Sequence, residues 1–439
     1  MLIEMSYGEG LSFADLSIQK RERFMSFPVF KGFPDLDELL SWAARRPLQM
    51  PIPSDLHIHT PYSFSAFTDV HEAVSLAREQ GVFVLGISDF NTTRGYEEFT
   101  EECQKAGIFP VYCIETIALS VDAQESGRRW NDPSNPGRIY FCGKGLRYPV
   151  QVSQHARDTL TRIARALEER IRQMIDRMNR HLGSTVPSIR LDYDHIRDTY
   201  TLGTVRERHV AKALSSAIVK AFPGARERAA VLDALYGYGG QSQVDLTDDV
   251  ALQNELRSNL LKAGKPAFVE ERPEAYVSLE EAKSLILDMG GIPCYPVLAD
   301  GTKSELTEVE RDPEFLCDEI LERGIHCAEF IPIRTDIDLL RDYVSVFRRR
   351  GVILTAGTEH NTPRMEPMVP MCRGGVELDG ELKKTFWKGA CVVAAHQYLT
   401  SIGRAGYVDT LGKRTDEETA QLESIGEAVI AYYLASPSV

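Results

Sequence analysis

His57-Ile58-His59 sets two imidazoles two residues apart. Residues at that spacing share a face of a strand, so both rings could reach one metal ion. Asp55 precedes the pair, and Thr60-Pro61-Tyr62-Ser63 follows it. A His-x-His pair alone is common on protein surfaces, so its weight comes from this context and from the α/β unit after it. The eight cysteines, from Cys103 to Cys391, form no Cys-x-x-Cys pair. They read as buried thiols in a reducing compartment, not as a zinc ribbon or a disulfide framework.

The run Ser54-Asp55-Leu56-His57-Ile58-His59-Thr60-Pro61-Tyr62-Ser63-Phe64 resembles the opening motif of the polymerase and histidinol phosphatase (PHP) family, Asp-x-His-x-His-[Ser/Thr]-x-x-Ser. The family's Thr-Asp-His element is similar to Ser88-Asp89-Phe90, with phenylalanine in the histidine's place, and Gly95 follows. A strand ending in Val-Glu is matched by Cys113-Ile114-Glu115. A Gly-Gly…His-Pro element resembles Gly290-Gly291-Ile292-Pro293-Cys294-Tyr295-Pro296, which puts Tyr295 at the histidine. Gly-Ser-Asp-x-His resembles Gly357-Thr358-Glu359-His360-Asn361. The resemblance covers about 53–145 and 285–365, and its first two motifs are specific in combination.

The family typically holds three metals in a distorted β/α barrel. Carried over, the resemblance implies His57, His59, Glu115 and Glu359 at one site, Tyr140 and Tyr295 at the second, and Phe64, Phe90 and Asn361 at the third. The first set can ligate metal. A phenyl ring offers no lone pair, and a protonated phenol is a poor ligand. One divalent metal is therefore expected, with zinc, manganese or iron all suited to two histidines and two carboxylates. Phosphoester hydrolysis benefits from several cations around the phosphoryl oxygens, so the family's usual chemistry does not transfer directly.

Four further residues are candidates for catalysis. Asp89 would orient His57 or His59, or else cap the turn after it. Arg94 would grip an anion from a loop at a strand end, against a plain surface position. His209, in Arg206-Glu207-Arg208-His209, resembles an Arg-Pro-His element of some relatives. It would act with Arg206 or Arg208 as acid or anion binder, against a packing role at a helix start. Tyr295 would offer its hydroxyl to substrate or water. His360 is a ligand only if the Glu359 loop shifts.

The elements around these residues alternate. Val70–Gln80, Tyr96–Ala106, Leu279–Met289, Pro313–Arg323 and Leu339–Arg350 read as helices. Val82–Ile87, Pro110–Ile117, Ile292–Leu298, Cys327–Ile331 and Val352–Ala356 read as strands. The expectation is an α/β chain with a PHP-type, TIM-like barrel over 51–145 and 285–400, after an N-terminal extension 1–50. A helical insertion fills 150–285 and a helical segment closes 401–439. In the insertion, Leu160, Ala164, Leu167, Ile171, Met174, Met178 and Leu182 make one apolar stripe, a packing face or a dimer seam. Tyr236–Gln241 is a flexible loop and a candidate lid.

The chain has 439 residues and a formal net charge of −14. Such acidity opposes broad binding to nucleic acid. No basic-then-apolar leader and no long apolar run are apparent, so a cytoplasmic, non-membrane protein is expected. A small-molecule substrate is the expected partner, and a homo-oligomer is compatible. Three functions follow: a mononuclear metal-dependent hydrolase of a small polar or anionic substrate, a catalytically silent ligand-binding or interaction barrel, or a conventional phosphoesterase.

Overall fold

Two sheets frame the molecule in the computed structural model, which describes residues 29–48, 50–237, 241–299 and 306–435. β1 (Ser54–Ile58), β2 (Val84–Ile87) and β3 (Phe109–Tyr112) form a parallel sheet in that order. β4 (Ile114–Leu119), β5 (Arg138–Lys144), β6 (Ile292–Val297), β7 (Cys327–Phe330) and β8 (Ile353–Ala356) form the second. β5 runs antiparallel to both its neighbours, and β6, β7 and β8 are parallel. Isolated parallel bridges, Ile58 with Glu359 and Phe90 with Glu115, join the two sheets. Nearly every strand residue is buried, as expected of strands covered on both faces.

The single strand expected over Pro110–Ile117 is two strands that break at Cys113. The Cys113 amide donates to Ile87 and the Glu115 amide to Asp89, so the chain passes from one sheet to the other there. Continuous burial hides such a break, because it leaves no change of period to read.

Helices at Val70–Glu79, Tyr96–Ala106, Leu279–Asp288, Pro313–Glu322 and Ile337–Arg349 follow the expected segments closely. Caps fix several starts: the side chains of Asp69, Ser278 and Asp312 accept from amides of the first turn. Gly380–Ser401 is a buried helix that the sequence reading missed. It is apolar on most sides, so it shows no one-sided stripe. Gln397 fastens it to β3, accepting from the Tyr112 amide at 2.8 Å and donating to the Pro110 carbonyl at 3.0 Å.

The insertion has its own core. The helix Gln154–Thr185 joins the two regions: Ile163 belongs to the main core, and Ile171, Met174, Met178 and Leu182 to the second. Val210, Leu214 and Ile218 of the helix Glu207–Ala221 pack in that second core. The C-terminal half of the stripe is thus covered within the chain, whereas Ala164 is exposed. The helix also runs two residues past Gly183, the expected stop. The last helix spans Thr419–Ala435. The candidate lid lies partly outside the described residues, as does most of the N-terminal extension. Among the described residues, no helix is long and apolar enough to cross a membrane. All eight cysteines are free and buried.

Candidate metal centre and its cavity

β1 and the residue that follows it deliver His57 and His59 to the junction of the sheets, with exposures of 1% and 0%. Their Nε2 atoms are 3.1 Å apart. Glu115, on β4, brings Oε2 to 3.1 Å from His59 Nε2 and 3.7 Å from His57 Nε2. Despite that closeness, Glu115 Oε2 is buried without a hydrogen-bond partner of proper geometry. Burial works against the Glu115 charge, yet the nearby His57 and His59 rings outweigh it and hold the carboxyl at about 2. All three donor atoms lie within 4.8 Å of one another. An orphaned carboxylate oxygen facing two imidazole nitrogens fits a divalent cation.

The other nitrogen of His57 is also engaged. Its Nδ1 is 2.6 Å from Glu329 Oε2 and 4.0 Å from Cys142 Sγ. Burial opposes the imidazolium charge, but the Glu329 carboxylate raises His57 well above its ordinary value. Glu329 Oε1 pairs with Lys144 Nζ at 2.6 Å, and Nζ also donates to the Leu56 carbonyl at 2.8 Å. Lys144 and Glu329 are both fully buried. Neither emerged from the sequence reading. The available signal was a charged residue inside each of two otherwise apolar runs, Phe141-Cys142-Gly143-Lys144 and Cys327-Ala328-Glu329-Phe330.

Asp89 stands behind His59. It accepts from the Thr60 amide at 2.8 Å, from Thr60 Oγ1 at 2.5 Å and from Ser63 Oγ at 2.5 Å. Ser63 Oγ in turn is 3.3 Å from His59 Nδ1, while Asp89 itself is 4.0 Å from it. Asp89 therefore reaches His59 chiefly through Ser63, and burial pushes its carboxyl upward.

Glu359 is brought to the site by its backbone. Its amide donates to the His57 carbonyl at 2.7 Å, and its carbonyl accepts from the His59 amide at 2.9 Å. Glu359 and His360 both have left-handed backbones, with φ of 69° and 54°. Such values are costly away from glycine and persist only where surrounding contacts enforce them. Gly357 makes the approach feasible, since a Cβ there would lie 2.2 Å from His57 Cβ. The Glu359 carboxylate faces Arg334 at 3.3 Å and is not part of the three-donor group.

The remaining candidates are distributed differently. His360 uses both ring nitrogens, with Thr358 Oγ1 at 2.9 Å and the Glu366 carbonyl at 2.8 Å, so neither is free for a metal. Tyr295 does not meet the cluster. Register pairs Cys142 with Cys294, so those side chains share the His57 face and Tyr295 takes the opposite one. Its buried hydroxyl is 3.2 Å from Glu310 Oε1. Arg94 is exposed, outside the residues that line the cavity. His209 closes its helix start, accepting from the Arg206 amide at Nδ1 (2.9 Å), with its ring edge-on to Phe64. It lines a separate cavity of about 210 Å³, and burial, reinforced by Arg206, pushes it down to about 3.

A cavity of about 770 Å³ opens between the cluster and the insertion. Tyr140, Phe64, Phe90 and Asn361 line it. Phe90 stacks on His59, with centroids 4.9 Å apart and planes at 18°.

Comparison with known proteins agrees with the resemblance. Residues 55–184 match the model of the PHP domain. A DNA polymerase III of PolC type from Thermotoga maritima is 33% identical over 88 residues, which are 20% of this chain and 6% of the polymerase. The matched stretch thus spans only a small part of that protein. A candidate metal-dependent phosphoesterase from Bifidobacterium adolescentis superposes with a TM-score of 0.49 at 17% identity, covering 76% of this chain and 95% of that one. An amidohydrolase from Chromobacterium violaceum, solved with sulfate and no metal, gives 0.47 at 19% identity, covering 73% and 93%.

Proposed function

We propose, for a chain whose residues 55–184 carry the PHP domain, a metal-dependent hydrolase that acts on a small polar or anionic substrate through one divalent cation. The two sheets and their two bridges support a distorted barrel with the site at its mouth. The observation that carries the functional reading is the orphaned, buried Oε2 of Glu115 beside the Nε2 atoms of His57 and His59. Zinc, manganese and iron all suit those donors.

When bound there, a divalent cation supplies Lewis-acid polarisation of a substrate oxygen. The chain's own groups do the rest. Glu329 holds a proton at His57 Nδ1 and leaves Nε2 turned to the cation. Asp89 and Ser63 fix the His59 ring. Phe90 covers that ring and gives no lone pair, which argues for a single metal. Glu359 is the fourth candidate ligand once its carboxylate leaves Arg334. Tyr140 and Asn361 offer a hydroxyl and an amide to substrate in the cavity.

Elemental analysis, followed by a screen of phosphorylated and acylated metabolites with and without chelator, tests this reading. Hydrolysis that chelator removes and metal restores is expected. Full activity in metal-stripped protein would reject it.

A further inference from the structure

The insertion borders a second cavity, separate from the one that faces the metal cluster. It holds about 210 Å³. Residues between 61 and 68, the stretch 198–202, and His209 and Lys212 of the helix Glu207–Ala221 line it. Arg206 and Arg208 line the larger cavity instead. The helix start thus sends neighbouring side chains into two different spaces.

His209 has one donor to offer there. Its Nδ1 accepts from the Arg206 amide at 2.9 Å, so the proton of the neutral ring lies on Nε2. Burial and the nearby charges of Arg206 and Lys212 keep that ring neutral. The residue is only 2% exposed. Among the described residues Nε2 meets no acceptor, yet it is not one of the sealed, unpartnered polar atoms, so it opens on this cavity. Lys212 stands three residues on, on the same face of the helix. Among the described residues no carboxylate lies within ion-pair distance of its ammonium, which sits 5.8 Å from the centre of the Tyr200 ring. Cation–π contact orients a charge without neutralising it.

The surroundings narrow what could pair with these two groups. The hydroxyls of Ser65 and Thr201 are committed to the carbonyls of His59 at 2.8 Å and Pro61 at 3.2 Å. Pro61, Phe64, Phe67 and Leu202 supply apolar wall. Phe64 is set edge-on to His209, and Phe67 stacks on His360. One neutral donor beside one cation complements a single carboxylate group. Asp198, on the same lining and paired with Arg197 at 2.8 Å, works against a second negative charge. The small volume and the apolar wall suit a short hydrocarbon chain.

We propose that this cavity is a binding site for a short monocarboxylate, with its carboxylate held by His209 Nε2–H and the Lys212 ammonium and its chain against Phe64, Phe67 and Pro61. The site stands apart from the hydrolase reading, since no metal takes part in it.

The test uses the full chain after chelator treatment, so that no carboxylate is held by a metal. Calorimetric titration compares butyrate with butyramide, which has the same shape and no charge. Butyrate should bind at least about fivefold more tightly, the effect expected of a charge-assisted hydrogen bond. His209→Glu keeps an acceptor for the Arg206 amide at the helix start and replaces the donor with a negative charge. It should weaken butyrate binding by at least about fivefold, as should Lys212→Met, which keeps the stem and loses the charge. Lys212→Arg should recover most of that loss. Inorganic phosphate at equal concentration should leave the butyrate isotherm in place. Circular dichroism identifies variants that do not fold, and if His209→Glu is one of them, the two Lys212 variants and the butyrate-to-butyramide ratio decide by the same criteria. A smaller preference over butyramide, a smaller loss in a folded His209→Glu or Lys212→Met variant, or displacement of butyrate by phosphate overturns the proposal.

Discussion

Glu329 Oε2 lies 2.6 Å from His57 Nδ1, and its other oxygen lies 2.6 Å from Lys144 Nζ, all three groups being buried. The carboxylate therefore orients the histidine from behind while the lysine balances its charge. Glu329→Gln keeps the shape and weakens the hold on the ring. It should cost roughly 10–100-fold in metal affinity, the usual range for an outer partner of a ligating histidine. Competition with a chromogenic chelator measures this, and unchanged affinity would remove Glu329 from the site. Lys144→Met strands a buried carboxylate and should destabilise the fold by about 3–5 kcal/mol, read from urea unfolding.

Gly357→Ala probes the junction between the sheets. The added Cβ would lie 2.2 Å from His57 Cβ and 2.9 Å from its amide nitrogen. Relief requires moving β1 or the 357–360 turn. A loss of about 1–3 kcal/mol is expected from overpacking, together with weaker metal binding. A variant with unchanged midpoint and metal content would show that this contact does not constrain His57.

Three histidines away from the three-donor group should make the protein acid-sensitive. Burial lowers His209 to about 3, and His360 and His396 to about 4. A depressed folded value means that stability is fully present above the unfolded value near 6.5 and is lost as pH falls through the folded value. For His396, whose Nδ1 accepts from Tyr407 and whose Nε2 donates to Gly290, the shift corresponds to roughly 3 kcal/mol at most. Urea midpoints should fall steadily from pH 7 to pH 4. His396→Gln should flatten part of that slope, and an identical slope in the variant would contradict its assignment.

The repeating α/β elements and the helical stretch were readable because caps and one-sided stripes mark them, as at Asp69 and along Ile171–Leu182. The buried helix Gly380–Ser401 was not, because burial on most sides erases periodicity. At the site, spacing alone was enough to pair His57 with His59, since strand period two is local. Glu329 and Lys144 depend on strand order, β5-β6-β7, which brings together positions 185 residues apart by number. Tyr295 shows the limit of a motif position: the motif does not say which face of β6 it occupies, and register puts it on the face away from Cys294. The Arg206 and Arg208 side chains were legible as candidates, but their seats on Phe90 and Phe64 required tertiary structure.

The central claim is one cation held by His57, His59 and Glu115. Metal stoichiometry by inductively coupled plasma mass spectrometry, on unmodified protein and on the His57→Ala/His59→Ala variant, tests it most directly. The account predicts one tightly held metal per chain in the unmodified protein and none in the double variant. Two or three stoichiometric metals in the unmodified protein, or an unchanged content in the variant, would contradict it.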